Sequence, residues 1–529
     1  MSKSTPNEHS HWRPSHNPWA IALTVTIATF MEVLDTAIAN VSLPHIAGSL
    51  SASQDEATWV LTSYLVANAV VLPLSAWVSD RVGRKRFYMT CVLLFTISSF
   101  LCGLAPNLGL LIFFRVLQGI GGGGLAPSEQ AILADTFEPA KRGVAFAVYG
   151  MAVVLAPAIG PTLGGFITDH YSWHWIFFIN VPVGVFSLFL TSHFVEDPPQ
   201  LQEATKKSRG LSIDYLGAGL IAIALGSLEV VLDKGQEDDW FSSSFIVFFT
   251  VLALVSLAVF LTYEWQQEHP ILNLRLFQNR NFAVCTVLML TLGGVLYGTT
   301  VLIPQFVQTV LGYTAQLAGE VLTPGGFVVI LCLPLVGRLV SKVDARYLIA
   351  FGFISSALAL LHMTNLYAGI SFRSAVLFRV YQAIGLAFLF VPINTIAYIG
   401  IPPDQNGQVS AIINLCRNLG GSIGIATLTT LLARRTQVHQ DYLVSHITSG
   451  NAPLQSSLTS ISQGLRHAGV GAVDAVSQAY GQIARTVGQQ ANILAYIDVI
   501  EIFAIVCLAV VPLLFLARRS EAGRAPAAH

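Results

Sequence analysis

Apolar runs of about 20 residues alternate with short charged or turn-rich breaks along the whole chain, the period of a protein that crosses a bilayer repeatedly. The pattern predicts helical spans near 18–47, 57–79, 87–105, 108–132, 143–166 and 175–194. A polar linker, Glu196 to Ser212, precedes two further spans near 213–232 and 243–264. A second linker holds Arg275 and Arg280, and six more spans follow near 282–303, 316–337, 346–366, 374–396, 409–433 and 494–517. The expected fold class is an all-α polytopic membrane protein with 14 transmembrane helices, arranged 6 + 2 + 6. The domain reading is a tail over 1–17, a six-helix bundle over 18–195, and linkers with two extra helices over 196–281. A second bundle over 282–517 includes an outer loop at 434–493, and a tail covers 518–529.

Composition agrees with the pattern. Of 529 residues, 53% are hydrophobic and 11% charged, where a soluble domain carries roughly 25% charged residues. Fourteen spans of about 20 residues need roughly 280 apolar-rich positions. That balance, with a net charge of -1, argues against soluble domains, a disordered chain and a nucleic-acid binder. The six cysteines lie in apolar runs and read as small core residues. Met1 to Asn17 is polar, so no cleaved signal peptide is expected.

Orientation follows from the cations. With a cytoplasmic N-terminus, 19 of the 28 lysines and arginines fall in inner segments, from Lys3 and Arg13 to Arg518, Arg519 and Arg524. The positive-inside rule therefore predicts both chain ends on the cytoplasmic face.

An internal repeat supports two six-helix halves. Phe114-Arg115-Val116-Leu117-Gln118 recurs as Phe378-Arg379-Val380-Tyr381-Gln382, 264 positions later. Val78 to Arg84, after the second span, is echoed by Val340 to Arg346. Thr436 to Asn492 is the one long break, placed on the outer side. Ala475 to Leu494 within it reads as an amphipathic helix running into the last span, either a cap over the outer mouth or a docking surface. His439, His446 and His467 are too loosely spaced to suggest a metal site over solvated histidines.

Glu32 and Asp35 lie three residues apart near the middle of the first span, on one helix face. A charge at that depth costs about 2.5–3.5 kcal/mol, so intramembrane carboxylates mark functional sites by default. Both are candidate proton carriers; a locked salt bridge or a sodium site is the plain alternative. Arg115, inside the fourth span, is a permanent cation that releases a carboxylate's proton as the two approach. Static glue between helices is its alternative, and the favoured reading for Arg379 and Arg417. Asp80, Arg81, Gly83 and Arg84 form a cationic turn after the second span with an acid embedded in it. Gly160, Pro161, Gly164 and Gly165 thin the fifth span, permitting close helix approach where Pro161 removes a backbone bond. Gly121 to Gly124 lacks a following Gly-Lys-Ser/Thr and is not a phosphate loop. Candidate cavity-lining residues are Gln118, Tyr297, Arg379, Tyr381 and Gln382, with core packing the alternative for the aromatic pair. No nucleophile–base pair, metal cluster or nucleotide motif points to an enzyme.

These residues resemble the major facilitator superfamily, and within it the fourteen-helix drug:proton antiporters. Leu34 to Pro44 is similar to that group's first-helix motif, and Asp80 to Arg86 to the superfamily's loop signature, with Ala76 where a glycine is usual. Arg115-Val116-Leu117-Gln118-Gly119 resembles the fourth-helix motif, and Gly150 with Gly160 to Gly165 the fifth-helix antiporter motif, with Ala156 where glycine is frequent. Trp175 to Pro182, Leu232 to Gly235, Asp239 to Phe241 and the outer loop extend the likeness over nearly the whole chain, toward the inner-membrane pumps of tripartite multidrug exporters. Glu32 departs from those pumps, which carry a glutamine there. The resemblance implies the superfamily fold and proton-driven export of hydrophobic or amphipathic drugs without a cofactor. It also implies an EmrA-like membrane fusion protein and a TolC-like outer-membrane channel as partners. A proton-coupled exporter of one metabolite, such as a fatty acid, polyamine or siderophore, is the rival reading.

Overall fold

A computed structural model describes residues 14–208, 214–267, 270–448 and 450–517. The predicted tail through Arg13, Arg209 in the first linker and the tail from Arg518 lie outside these residues.

The described chain is helical. In the first half α1 spans Pro18–Ser49, α2 Gln54–Val82, α3 Arg84–Gly103, α4 Leu108–Gly122, α5 Leu125–Thr136, α6 Pro139–His170, α7 Trp175–Phe178 and α8 Asn180–Phe194. The short α9, Pro199–Ser208, leads to the inserted pair, α10 Tyr215–Lys234 and α11 Ser244–Gln266. The second half holds α12 Arg280–Thr309, α13 Ala315–Leu339, α14 Ala345–Met363, α15 Phe372–Ala397, α16 Asn406–Ser445, α17 Ala452–His467 and α18 Ala472–Ala509. Among the described residues, fourteen helices or helix pairs are long and apolar enough to span a membrane, the number read from the sequence.

Local chemistry sets the ends. Asn17 Oδ1 accepts from Trp19 N–H at 2.9 Å ahead of α1, and Ser53 with Glu56 forms a capping box on α2. The turn from α2 into α3 is a single residue, Gly83, at φ 99°, a backbone region that side chains with a Cβ avoid.

The fourth span departs from the expected continuous helix, because its chain breaks into α4 and α5 at Gly123–Gly124. A Cβ on Gly119 would stand 2.5 Å from Tyr64 O, and one on Gly121 2.6 Å from Phe95 N. The glycine run is therefore the seat on which α2 and α3 press against α4, and its cost is a broken helix.

The two bundles meet along α6 with α13 and along α2 with α16, pairs that the 264-residue offset exchanges. On the side of the α2–α3 turn they touch closely: Gly143 and Gly337 face each other so that a Cβ on either would lie 3.0 Å from the other's carbonyl oxygen. The inserted α10 packs on both α2 and α16, and α11 packs chiefly on α10. Glu229 of α10 accepts from Ser422 Oγ at 2.6 Å, Asp233 accepts from Thr62, and Trp240 Nε1 donates to Thr430 Oγ1 at 3.0 Å. Most of α11 is exposed and apolar, with Phe248, Val251, Leu254 and Val255 outward, as a lipid-facing helix requires.

The long segment before the last span is helical throughout most of its length. α16 runs on beyond its apolar part to Ser445, α17 packs on α18, and α18 continues into the last span, as its amphipathic pattern predicts. His439 is paired: its Nε2 lies 2.7 Å from Asp498 Oδ2, which also accepts from Arg435 Nε at 2.5 Å. Among the described residues no cluster of three or more metal-ligand side chains occurs.

Candidate functional site

Asp35 is 1% exposed and satisfied by three donors from two helices, α4 and α8. Arg115 Nη1 of α4 donates to Oδ2 at 2.6 Å, while Gln118 Nε2 and Asn180 Nδ2 donate to Oδ1 at 3.0 and 2.6 Å. The i, i+3 spacing of Arg115 and Gln118 puts both on one face of α4, and their side chains bond each other at 2.9 Å. Asn180 is held in turn by Ser99 Oγ at 3.0 Å. The spacing Gly160 to Gly164 makes the approach of α6 possible: a Cβ on Gly160 would stand 2.4 Å from Ala37 Cβ, and one on Gly164 3.1 Å from Ile38. Gly165 belongs to no such seam, since a Cβ there meets nothing within 4 Å. Pro161 lies inside α6 with Pro157.

Glu32, also buried, accepts from Tyr64 Oη at 3.0 Å and Asn68 Nδ2 at 3.1 Å. The guanidinium of Arg115 stacks 4.3 Å above the ring of the same Tyr64. One side chain thus touches the partners of both carboxylates.

From Glu32 a buried polar chain crosses into the second half. Asn418 Nδ2 donates to Asn68 Oδ1 at 3.4 Å, and Arg417 Nη2 lies 3.5 Å from Asn418 Oδ1. Arg417 Nη1 donates to Tyr149 Oη at 2.7 Å, Tyr149 to Asn414 at 2.9 Å, and Asn414 to Gln130 Oε1 at 2.9 Å. Arg417 therefore connects helices from both halves. Tyr297 lies alongside, over Gly421.

Arg379 and Gln382 form a second copy of the Arg115–Gln118 pair, 2.8 Å apart. Tyr381 does not join them. It is 42% exposed and packs its ring against His362 on the outer α14–α15 face, because its place one residue before Gln382 turns it about 100° round the helix.

The turn after α2 is a junction. Arg84, 2% exposed, pairs with Asp135 of α5, and Asp135 also accepts from Asn406 Nδ2 of the other bundle at 2.8 Å. Asp80 does not take that role: its buried Oδ1 has no hydrogen-bond partner. Arg81 stacks on Trp77 at 4.0 Å. Gly83 leaves room for Asp197, whose carboxylate would lie 3.2 Å from a Cβ there and which accepts Lys85 N–H at 2.9 Å. In the second copy of the turn, Asp344 caps α14 and keeps its own Arg346, at 2.8 Å.

Two acids escaped the sequence reading. Asp135 sits at the end of the fourth span, and Glu129, 0% exposed, interrupts its apolar run. Glu129 accepts from Thr26 Oγ1 at 2.6 Å and leaves Oε2 without a partner. An isolated acid between Leu125 and Leu133 is the signal that would have found it.

Two six-helix bundles with buried carboxylate–arginine chemistry at the heart of one and a repeated arginine in the other define a membrane transporter fold. The chain matches the Major Facilitator Superfamily over residues 25–425, and it belongs to that family. It is 37% identical over 500 residues to the multidrug export protein EmrB of Escherichia coli K12, covering 94% of this chain and 95% of that protein. It is 36% identical over 499 residues to the fatty acid resistance protein FarB of Neisseria gonorrhoeae, covering 94% and 96%. The fold resembles that of the proton:xylose symporter XylE bound to 6-bromo-6-deoxy-D-glucose, with a TM-score of 0.58, 15% identity, and coverage of 94% and 95%.

Proposed function

We propose that the protein is a proton-coupled multidrug efflux antiporter of the bacterial inner membrane, with both chain ends in the cytoplasm. It exports hydrophobic and amphipathic toxic compounds by alternating access between its two bundles. The observation that carries this reading is the three-donor bond of Asp35 to Arg115, Gln118 and Asn180. A carboxylate so supplied is satisfied without a proton. Movement of α1 away from α4 removes two of those donors, and a proton replaces them. Tyr64 links this exchange to Glu32, which hands the change to the second bundle through Asn68 and Asn418. The junction of Arg84, Asp135 and Asn406 then holds the cytoplasmic side shut and opens when the bundles rock.

The proton gradient supplies the energy, with no bound cofactor. One proton crossing about 150 mV yields ~3.5 kcal/mol, or a concentration ratio of a few hundred. The 37% identity to a protein named EmrB supports a tripartite pump with an EmrA-like membrane fusion protein and a TolC-like outer-membrane channel. The projecting helical segment α16–α18 is the surface offered to the former. An exporter of a single metabolite remains the second reading, favoured by the likeness to a fatty acid resistance protein.

The test is ethidium uptake by inside-out vesicles under an imposed pH gradient without ATP. The proposal expects uptake that ends when nigericin collapses the gradient. Uptake that needs ATP and ignores the gradient contradicts it.

A further inference from the structure

The 264-residue offset that carries Arg115 to Arg379 and Gln118 to Gln382 carries Asp35 to Thr299. The side chains follow the same rule. Gln382 Nε2 donates to Thr299 Oγ1 at 2.8 Å, where Gln118 donates to Asp35 at 3.0 Å. Arg379 Nη1 reaches Thr299 Oγ1 at 3.4 Å, and Nη2 reaches Thr300 Oγ1 at 3.2 Å. The second half carries the cation and its glutamine and has a threonine where the first half has the acid.

The other two intramembrane arginines each share a buried polar network with a carboxylate. Arg115 holds Asp35, and Arg417 lies in the same polar chain as Glu32. Arg379 is 2% exposed, makes no ion pair among the described residues, and its Nε has no hydrogen-bond partner. A buried guanidinium keeps its proton, and neutral hydroxyls offset little of the cost of its burial. Gly325 of α13 lets the Arg379 stem pack directly on its backbone, since a Cβ there would lie 2.7 Å from Arg379 Cγ.

We propose that Arg379, Gln382, Thr299 and Thr300 form a binding site for the anionic head of an amphipathic organic acid, with Arg379 pairing to its carboxylate. The ligand supplies the charge that Asp35 supplies in the first half. The planar guanidinium and flanking hydroxyls suit a carboxylate's two oxygens, and the apolar tail lies among the surrounding helices. This site rests on the drug-export reading and extends it to anions; cationic substrates have no use for Arg379.

The experiment measures dodecanoate and ethidium binding to the full-length protein in nanodiscs, with empty nanodiscs subtracted, for the unaltered protein, Arg379→Gln and Thr299→Asp. Thr299→Asp installs the missing acid and occupies the guanidinium. Both variants are expected to weaken dodecanoate binding by about tenfold or more while ethidium binding changes less than about twofold. Arg379→Lys is expected to keep part of the dodecanoate affinity, because the charge remains and the planar fork is lost. Unchanged dodecanoate affinity in both variants, no dodecanoate binding by the unaltered protein, or parallel loss of both ligands in both variants overturns the proposal. Parallel loss marks Arg379 as structural. Failure of the export reading is separate and visible as no ethidium binding by the unaltered protein.

Discussion

Gln130 donates from Nε2 to Asn394 Oδ1 across 3.1 Å, and the two residues stand 264 positions apart, the offset between Arg115 and Arg379. Each is the other's counterpart in the repeat, so this bond joins equivalent positions of the two bundles. Both side chains are buried, at 1% and 0% exposure, and Gln130 also accepts from Asn414 at 2.9 Å. The bundles are thus tied at their centre by a polar contact, where an apolar one would leave the closed arrangement less specific.

Gln130→Leu strands Asn394 Oδ1 without a donor and should cost about 1–3 kcal/mol. Asn394→Leu should cost a similar amount, and the double variant less than the sum, with a coupling of about 1 kcal/mol. Reversible unfolding in mixed micelles measures all three. Strictly additive costs would show that the contact does not hold the bundles together.

Gly160 and Gly165 separate two roles that their sequence context does not. Gly160→Ala forces α6 away from Ala37, two residues from Asp35, and should cost about 1–3 kcal/mol in stability together with most of the transport activity. Gly165→Ala meets open space and should be neutral or slightly stabilising, as alanine favours helix. Equal losses in the two variants would show that the α1–α6 seam at Gly160 carries no special role.

The junction beyond α8 has its own pH dependence. Partial burial pushes the Asp197 carboxyl above its ordinary value, against the opposing pull of Lys85 N–H and the nearby cations. For an acid raised in the folded state, the folded protein binds the proton more tightly than the unfolded chain. That contribution is present below the unfolded value and is lost as pH rises through the folded one. Glu196 shifts the other way, held down first by the Ser15 hydroxyl. Asp197→Asn should therefore raise the melting temperature near pH 7 relative to the unaltered protein and leave it nearly unchanged near pH 4. A gain confined to pH 4 would reverse the assignment.

The sequence reading reached the fold because lipid leaves few options: each span must bury its own backbone bonds, so hydropathy alone marks fourteen helices. Their ends were less legible. α16 and α18 run well past their apolar parts, since the helices outside the bilayer are held by α17 and by the Arg435–Asp498 pair, which hydropathy ignores. Within the site, Asp35 and Arg115 stand out because charges are rare in apolar runs, whereas Gln118 reads from the sequence only as a cavity-lining candidate. Asn180 and Asn68 did not, being neutral residues recognisable only by what they touch. Arg84 found its acid on α5 and not in its own turn, a choice between Asp80 and Asp135 that depends on how α5 descends beside α3. Tyr381 was drawn toward a cavity by its chemistry, and the helix rotation carries it outward.

In the proposed cycle Asp35 exchanges its donors for a proton as the transporter turns over. This exchange is tested by drug-induced proton release from acid-loaded proteoliposomes containing the unaltered protein, Asp35→Asn or Glu32→Gln. Ethidium is expected to dissipate the gradient with the unaltered protein, and Asp35→Asn, which can still take hydrogen bonds but cannot ionise, to abolish the response while ethidium still binds. Proton release by Asp35→Asn at the rate of the unaltered protein would contradict the exchange.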